Sequence, residues 1–235
     1  PASRLGPPIL GLYFNPYAGL PEELAKHLLQ TCLATYFQNE NVNQVMLFER
    51  VVPDSPAMSS TNSSNSSLPP FLTDLLSTLS THLRPLLPPA AHEMLFPLPG
   101  SPPRARQVII NFYRPGEGIT PHVDLLKRFD DGIIGVSLGS GCVMRFAKVD
   151  TQRSAEADAT TNGEGTKDAW SVFLPHGSVY VMSGEARYGW THGIDGRRED
   201  WVQDETCSDT GSWVPRSKRV SITFRWLLPG ANIVG

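Results

Sequence analysis

In the stretch NFYRPGEGITPHVD, residues 111–124, a histidine and an aspartate stand one residue apart, straight after a turn built on Pro115, Gly116 and Gly118. In extended chain, residues i and i+2 point to the same side. His122 and Asp124 therefore offer an imidazole nitrogen and a carboxylate oxygen to one point in space. That is two-thirds of the facial triad of two histidines and one carboxylate that holds non-haem Fe(II) with open coordination positions. Alone, H-x-D is a short pattern, and most such pairs lie on surfaces. A second histidine must come from far along the chain. His176, in LPHGS, sits between two strand-like runs and reads as a turn residue. His192, in EARYGWTHGI, sits where a strand end can aim it inward, and is the better candidate.

A further feature lies near the C-terminus. In KRVSITFRW, Arg219, Ser221, Thr223 and Arg225 alternate with Val220, Ile222, Phe224 and Trp226. Strand periodicity puts both arginines and both hydroxyls on one face. A surface strand with its polar face in water explains this alternation equally well. Yet arginine makes forked, charge-assisted bonds to carboxylates. Two arginines six residues apart span roughly 20 Å of extended backbone, and their long side chains could converge on the two ends of a diacid. Asn111 and Tyr113 likewise share one face of QVIINFY, and a polar pair facing inward needs hydrogen-bond partners that a carboxylate would supply.

These residues need elements to hold them. LPEELAKHLLQTCLATYF (20–37) has apolar residues at helical spacing, with Pro21 at its start. NQVMLFER (43–50) reads as a strand. PDSPAMSSTNSSNSSLPP (53–70) is polar, low in complexity and expected to be a flexible loop. FLTDLLSTLSTHLRPLL (71–87) predicts a second amphipathic helix, ended by the prolines at 88 and 89. Short β-like runs follow at 107–113, 132–138, 141–149, 170–174, 177–183 and 218–228. This pattern predicts a mainly β (α+β) chain with an all-β sandwich, barrel or jelly-roll core braced on one face by N-terminal helices. Two polar inserts interrupt the strands. Residues 150–169 are expected to form an exposed hairpin tip. Residues 195–217, with Trp201 and Trp213, fit either a substrate-side lid or a loop pinned by its tryptophans.

The 235 residues suit one structural domain, in which an N-terminal extension (1–106, including a candidate substrate lid) packs on a core at 107–235. With 21 prolines and 20 glycines, turns and short elements are favoured over long helices. A net charge of -3 argues against extensive duplex wrapping but allows a local basic rim. Three separated cysteines without a CxxC pair disfavour a disulfide framework and a zinc ribbon, and fit a reducing, intracellular compartment, nuclear or cytoplasmic. No apolar run approaches the roughly 20 residues that span a bilayer, so no membrane partner is expected. The chain opens at Pro1 without a methionine or a signal-peptide pattern, as a trimmed chain would. A monomer is the expected state.

Taken together, N-x-Y (Asn111, Tyr113), H-x-D (His122, Asp124), the distant His192 and R-x5-R (Arg219, Arg225) resemble the AlkB family of Fe(II)- and 2-oxoglutarate-dependent dioxygenases. The resemblance covers about residues 107–228 and includes the strings GVSLGSGCVMRF and VYVMSGEARYGWTHGI. It implies a double-stranded β-helix (jelly roll) in which His122, Asp124 and His192 hold Fe(II). Arg219, helped by Tyr113, would bind the distal carboxylate of 2-oxoglutarate. Arg225 and Asn111 would sit near the carboxylate that chelates the metal, and Ser221 would be a further cofactor contact. With dioxygen as co-substrate, such an enzyme forms succinate and carbon dioxide while hydroxylating a substrate carbon. On an N-methyl group the product breaks down to formaldehyde and the bare base.

The implied substrate is an alkylated base in DNA or RNA, reached by flipping or from a single strand. Candidate rim residues are Lys127, Arg128, Phe129, Arg187, Tyr188, Trp190, Arg197, Arg198, Arg216 and Lys218. Surface charge and core aromatics are the plainer reading of each. Base-repairing relatives commonly carry an acidic residue two positions after the metal aspartate, where this chain has Leu126. The strings SGEARYGWTHGI and RVSITFR look closer to the branch that hydroxylates a modified wobble uridine in tRNA. Demethylation, tRNA hydroxylation and oxidation of a protein side chain therefore stay open. From another class, the chain could be a catalytically inactive metal-binding interaction module, which would bind Fe(II) without consuming 2-oxoglutarate. A cupin-type hydrolase or isomerase is a third option.

Overall fold

The computed structural model describes residues 1–49, 68–102, 104–149, 168–205 and 210–231. Strand β1 (Leu12–Phe14) is followed by helix α1 (Glu22–Tyr36), strand β2 (Gln44–Glu49), and helices α2 (Pro70–Leu83) and α3 (Pro89–Leu95). The core strands are β3 (Arg106–Tyr113), β4 (Ile119–His122), β5 (Phe129–Gly139), β6 (Cys142–Lys148), β7 (Ala169–Leu174) and β8 (Ser178–Met182). A short helix α4 (Gly184–Tyr188) precedes β9 (Trp190–Ile194), β10 (Glu199–Gln203), β11 (Gly211–Pro215) and β12 (Arg219–Leu227).

α1 buries Ala25, Leu28 and Cys32, and α2 buries Leu72, Leu75, Leu76, Leu79 and Leu83, in each case one helical stripe. Glu22 and Glu23 suit the positive end of α1. The second helix stops at Leu83, four residues short of its expected end. Pro85 lacks an N–H and its ring opposes the carbonyl four residues back, so the helix cannot run through it. The prolines at 88 and 89 do not end that helix. They begin α3, with Pro89 in the first turn where a missing N–H costs nothing.

Antiparallel pairing gives a major sheet of order β1-β8-β5-β12-β3-β2 and a minor sheet of order β4-β9-β6-β7. Two antiparallel sheets facing each other make the expected jelly roll. The strands from residues before 107, β1 and β2, form the two edges of the major sheet. α1, α2 and α3 cover its outer face, packing on Val108, Ile110, Val136, Leu138, Val220 and Ile222 among others. β12 lies between β3 and β5 and is buried for most of its length. Its polar face therefore looks into the space between the sheets, not into water.

The expected hairpin between β6 and β7 has paired flanks, Ala147 opposite Ala169, while its connection at 150–167 lies outside the described residues. Most of the Ser/Asn-rich loop, 50–67, lies outside them too. The tryptophan-bearing insert forms a separate antiparallel hairpin, β10–β11, with Trp201 opposite Trp213 and their rings edge-on at 5.4 Å. Among the described residues no helix is long and apolar enough to cross a membrane.

Candidate metal and cofactor site

The metal-ligand candidates meet because β4 pairs with β9 in a register that sets His122 opposite His192, with ring centroids 4.5 Å apart. Close approach of the two strands depends on Gly118. A Cβ there would lie 2.1 Å from the carbonyl oxygen of Ile194, far inside contact distance. This is why the turn before H-x-D is built on glycine: it admits the chain beside β9 just before the ligands. Asp124 follows, buried, and one ligand atom from each of His122, Asp124 and His192 lies within 4.8 Å of the others.

The donors are in the right state for a metal. The Nδ1 of His122 lies 2.9 Å from the carbonyl oxygen of Thr120, which can only accept. Nδ1 therefore carries the proton, and the Nε2 lone pair is left for an ion. Burial, with the charges of His122 and Arg187, lowers the His192 pKa to about 3, so its imidazole is neutral near pH 7. Its Nε2 lies 3.5 Å from Asp124 Oδ2. Two imidazoles and one carboxylate, open on one side to a cavity, fit Fe(II).

The cavity, of about 190 Å³, runs between the sheets. Asn111, Tyr113, Arg219, Ser221 and Arg225 all line it together with the three ligand candidates. All eight expected site residues thus come to one place. Arg219 is buried at the inner end. Its Nε donates to Ser137 Oγ at 2.9 Å, and its guanidinium lies over the Tyr113 ring at 5.0 Å. Its Nη1 is buried without a hydrogen-bond partner. An unpaired buried guanidinium nitrogen is costly, and a carboxylate is the partner that suits it. Arg225 donates from Nη1 to Asp124 Oδ1 and from Nη2 to Gln107 Oε1, and stacks on the Phe129 ring at 4.0 Å. Asn111 accepts from Gln44 at 2.7 Å across the β2–β3 pair.

Several site residues escaped the sequence reading. Gln107 shares the face of Asn111 and Tyr113 by strand parity and was findable on that ground. Ser137 and Tyr180 come from β5 and β8, where nothing in the apolar runs marks them. The basic rim is smaller than expected. Arg187 and Arg216 are buried, as are Phe129 and Trp190, whereas Lys127, Arg197, Arg198 and Lys218 are exposed. No described residue of the 195–217 insert lines the metal cavity.

Facing antiparallel sheets that enclose two histidines, an aspartate and a buried arginine define a non-haem iron oxygenase fold and site. The family model of the 2OG-Fe(II) oxygenase superfamily matches residues 18–225, and the chain belongs to that superfamily. Its relatives are AlkB-like. It is 36% identical to the uncharacterized protein L905 of Acanthamoeba polyphaga mimivirus, over 51% of this chain and 47% of that protein. It is 41% identical to the tRNA (carboxymethyluridine(34)-5-O)-methyltransferase ALKBH8 of Macaca fascicularis, over 51% of this chain and 17% of that protein. It is 29% identical to the N6-methyladenosine RNA demethylase ALKBH of Cryphonectria parasitica, over 52% of this chain and 56% of that protein. The matched region thus spans little more than half, and in places far less, of these relatives.

Proposed function

We propose that the protein is an AlkB-like Fe(II)- and 2-oxoglutarate-dependent dioxygenase that oxidatively demethylates alkylated bases in DNA or RNA. The observation that carries this reading is the joining, in one cavity, of the His122–Asp124–His192 cluster with the buried, partly unpaired guanidinium of Arg219. When bound, Fe(II) and 2-oxoglutarate couple decarboxylation of the cofactor, by dioxygen, to hydroxylation of a substrate C–H bond. His122, Asp124 and His192 would hold the metal. Arg219, fixed by Ser137 beside the Tyr113 ring, would bind a carboxylate of the cofactor. Arg225 keeps Asp124 oriented, and Asn111, held by Gln44, would offer its amide to the cofactor. Ile133, Met144 and Met182 give the cavity apolar walls.

A second reading has its own support. Asp124 is the one acidic residue lining the cavity among the described residues, and Arg225 already pairs with it. Just beyond it, Leu125 and Leu126 are exposed. A cationic alkylated base would find no spare carboxylate here. An uncharged modification, including the side chain of a modified tRNA uridine, meets no such penalty. An intracellular setting, nuclear or cytoplasmic, belongs to the same proposal, in keeping with the buried free thiols of Cys32 and Cys142.

The test is mass spectrometry of methylated single-stranded DNA, methylated RNA and total tRNA after incubation under air with Fe(II), ascorbate and 2-oxoglutarate. His122→Ala is the control. Loss of a methyl group, absent in the control, establishes demethylation. Gain of one oxygen on a tRNA nucleoside establishes hydroxylation instead. Steady succinate release without either change points to a protein substrate, and Fe(II) binding without 2-oxoglutarate consumption points to an inactive module.

A further inference from the structure

Arg187, in the last turn of α4, is 2% exposed. Its Nη1 donates to the backbone carbonyl of Asp124 at 3.0 Å, and its Nη2 to that of Phe129 at 3.2 Å. Those carbonyls stand at the two ends of one tight turn. Inside it, the carbonyl of Leu125 accepts from the N–H groups of Arg128 at 3.1 Å and Phe129 at 3.0 Å. A single planar fork therefore ties the turn shut. Among the described residues no carboxylate forms an ion pair with it, and its Nε is buried without a partner. Burial lowers its pKa, although neighbours including Asp131 and Asp130 oppose that shift. A guanidinium buried against two neutral carbonyls is a costly way to fill space, and an apolar side chain would fill it at less cost.

The turn has a second clamp. Arg225 holds the Asp124 carboxylate from the opposite side and stacks on the ring of Phe129. Asp124 is thus fixed twice, through its main chain by Arg187 and through its side chain by Arg225, with Phe129 as the shared strut. We propose that Arg187 is a positioning residue for the metal carboxylate: by closing the Asp124–Phe129 turn it aims Asp124 at the point that His122 and His192 share. This rests on the metal-site reading above. It also reassigns Arg187 from the nucleic-acid rim to the support of the metal.

The test is titration of the metal-free full chain with Co(II), read by the visible absorption of the bound ion, for wild type, Arg187→Lys and Arg187→Met. Lys26→Met, at an exposed position of α1 away from the cavity, is the control. Loss of an outer support for a ligand weakens metal binding by about 10–100-fold. The expected result is a shift of that size for Arg187→Met, a smaller one for Arg187→Lys, and none for Lys26→Met. The Co(II) band should also change in shape, which a mere loss of fold stability does not produce. If Arg187→Met does not fold, Arg187→Lys decides by the same two readouts, since one ammonium cannot reproduce the planar fork. Wild-type affinity and band shape in a folded Arg187 variant overturn the proposal. A wild-type chain that takes up no Co(II) overturns the metal reading itself.

Discussion

The ring of Tyr180 lies across Gly135 on the cavity face of the major sheet, so close that a Cβ at position 135 would sit 2.1 Å from Tyr180 Cζ. The two residues are register partners on β5 and β8. The missing side chain is what lets a large ring lie flat beside the arginine pocket. Gly135→Ala should therefore cost about 1–3 kcal/mol by overpacking, and Tyr180→Ala about 3–5 kcal/mol through the cavity it leaves. The double variant should lose less than the sum, because each change removes the cause of the other's strain. Urea denaturation of all four proteins checks this, and strict additivity would contradict it.

Arg219 is the second place where a single change has a clear consequence. Its unpaired Nη1 marks a partner that 2-oxoglutarate would supply. Arg219→Met should weaken 2-oxoglutarate binding to the Mn(II)-loaded protein by about 10–100-fold, the worth of hydrogen bonds to a charged group. Ser137→Ala should cost less, since it removes one neutral partner from Nε. Calorimetric titration with 2-oxoglutarate reads both. Equal affinity in Arg219→Met would show that the cofactor does not reach this end of the cavity.

The site was legible in the sequence where strand parity and residue chemistry agree. Arg219, Ser221 and Arg225 share a face by alternation, and H-x-D shares one by the same rule. The direction of that face was not legible, because a solvated strand alternates in the same way. The structure resolves it through β3 and β5, which flank β12 and leave its polar face no solvent to meet. The end of α2 is not legible from Pro88 and Pro89, because proline begins helices as well as ending them, and here these two begin α3. The roles of Ser137 and Arg187 are hidden for a different reason. They depend on pairing partners far apart in the chain, and Arg187 in particular looks in sequence like any basic residue beside aromatics.

The buried thiols give a prediction in pH. Burial raises the Cys32 pKa from 9.0 to about 12, and raises that of Cys142 despite nearby Arg219 and Arg216. At pH 8 neither forms much thiolate, so iodoacetamide should leave both unlabelled in the native protein and label both in urea. For a thiol whose folded pKa is raised, the contribution to stability is complete below the unfolded value and is lost as pH rises past it towards the folded one. Between pH 8 and 10 the wild type should thus lose about 1 kcal/mol more stability than Cys32→Ala. Peptide mapping and denaturation at the two pH values check the two halves of this prediction.

The hairpin that carries Trp201 and Trp213 is held by a buried ion pair. Arg216 donates from Nε to Asp200 Oδ2 at 2.6 Å and from Nη2 to Oδ1 at 2.7 Å. The same carboxylate accepts from the N–H of Val143 at 3.0 Å, and Arg216 Nη1 donates to the carbonyl of Asp195 at 2.7 Å. The pair therefore joins the hairpin to β6 and to the end of β9. Removing one partner leaves a buried charge uncompensated, so Arg216→Met should cost about 3–5 kcal/mol. Replacing both, as Asp200→Leu with Arg216→Met, should recover much of that loss, because the desolvation cost of the pair disappears with it. The lost carboxylate bond to Val143 limits the recovery. Co(II) affinity should stay near wild type in the folded double variant, since neither residue lines the metal cavity. Tryptophan fluorescence reports the hairpin and Co(II) titration the site; a change in both at once would mean that the hairpin supports the metal centre after all.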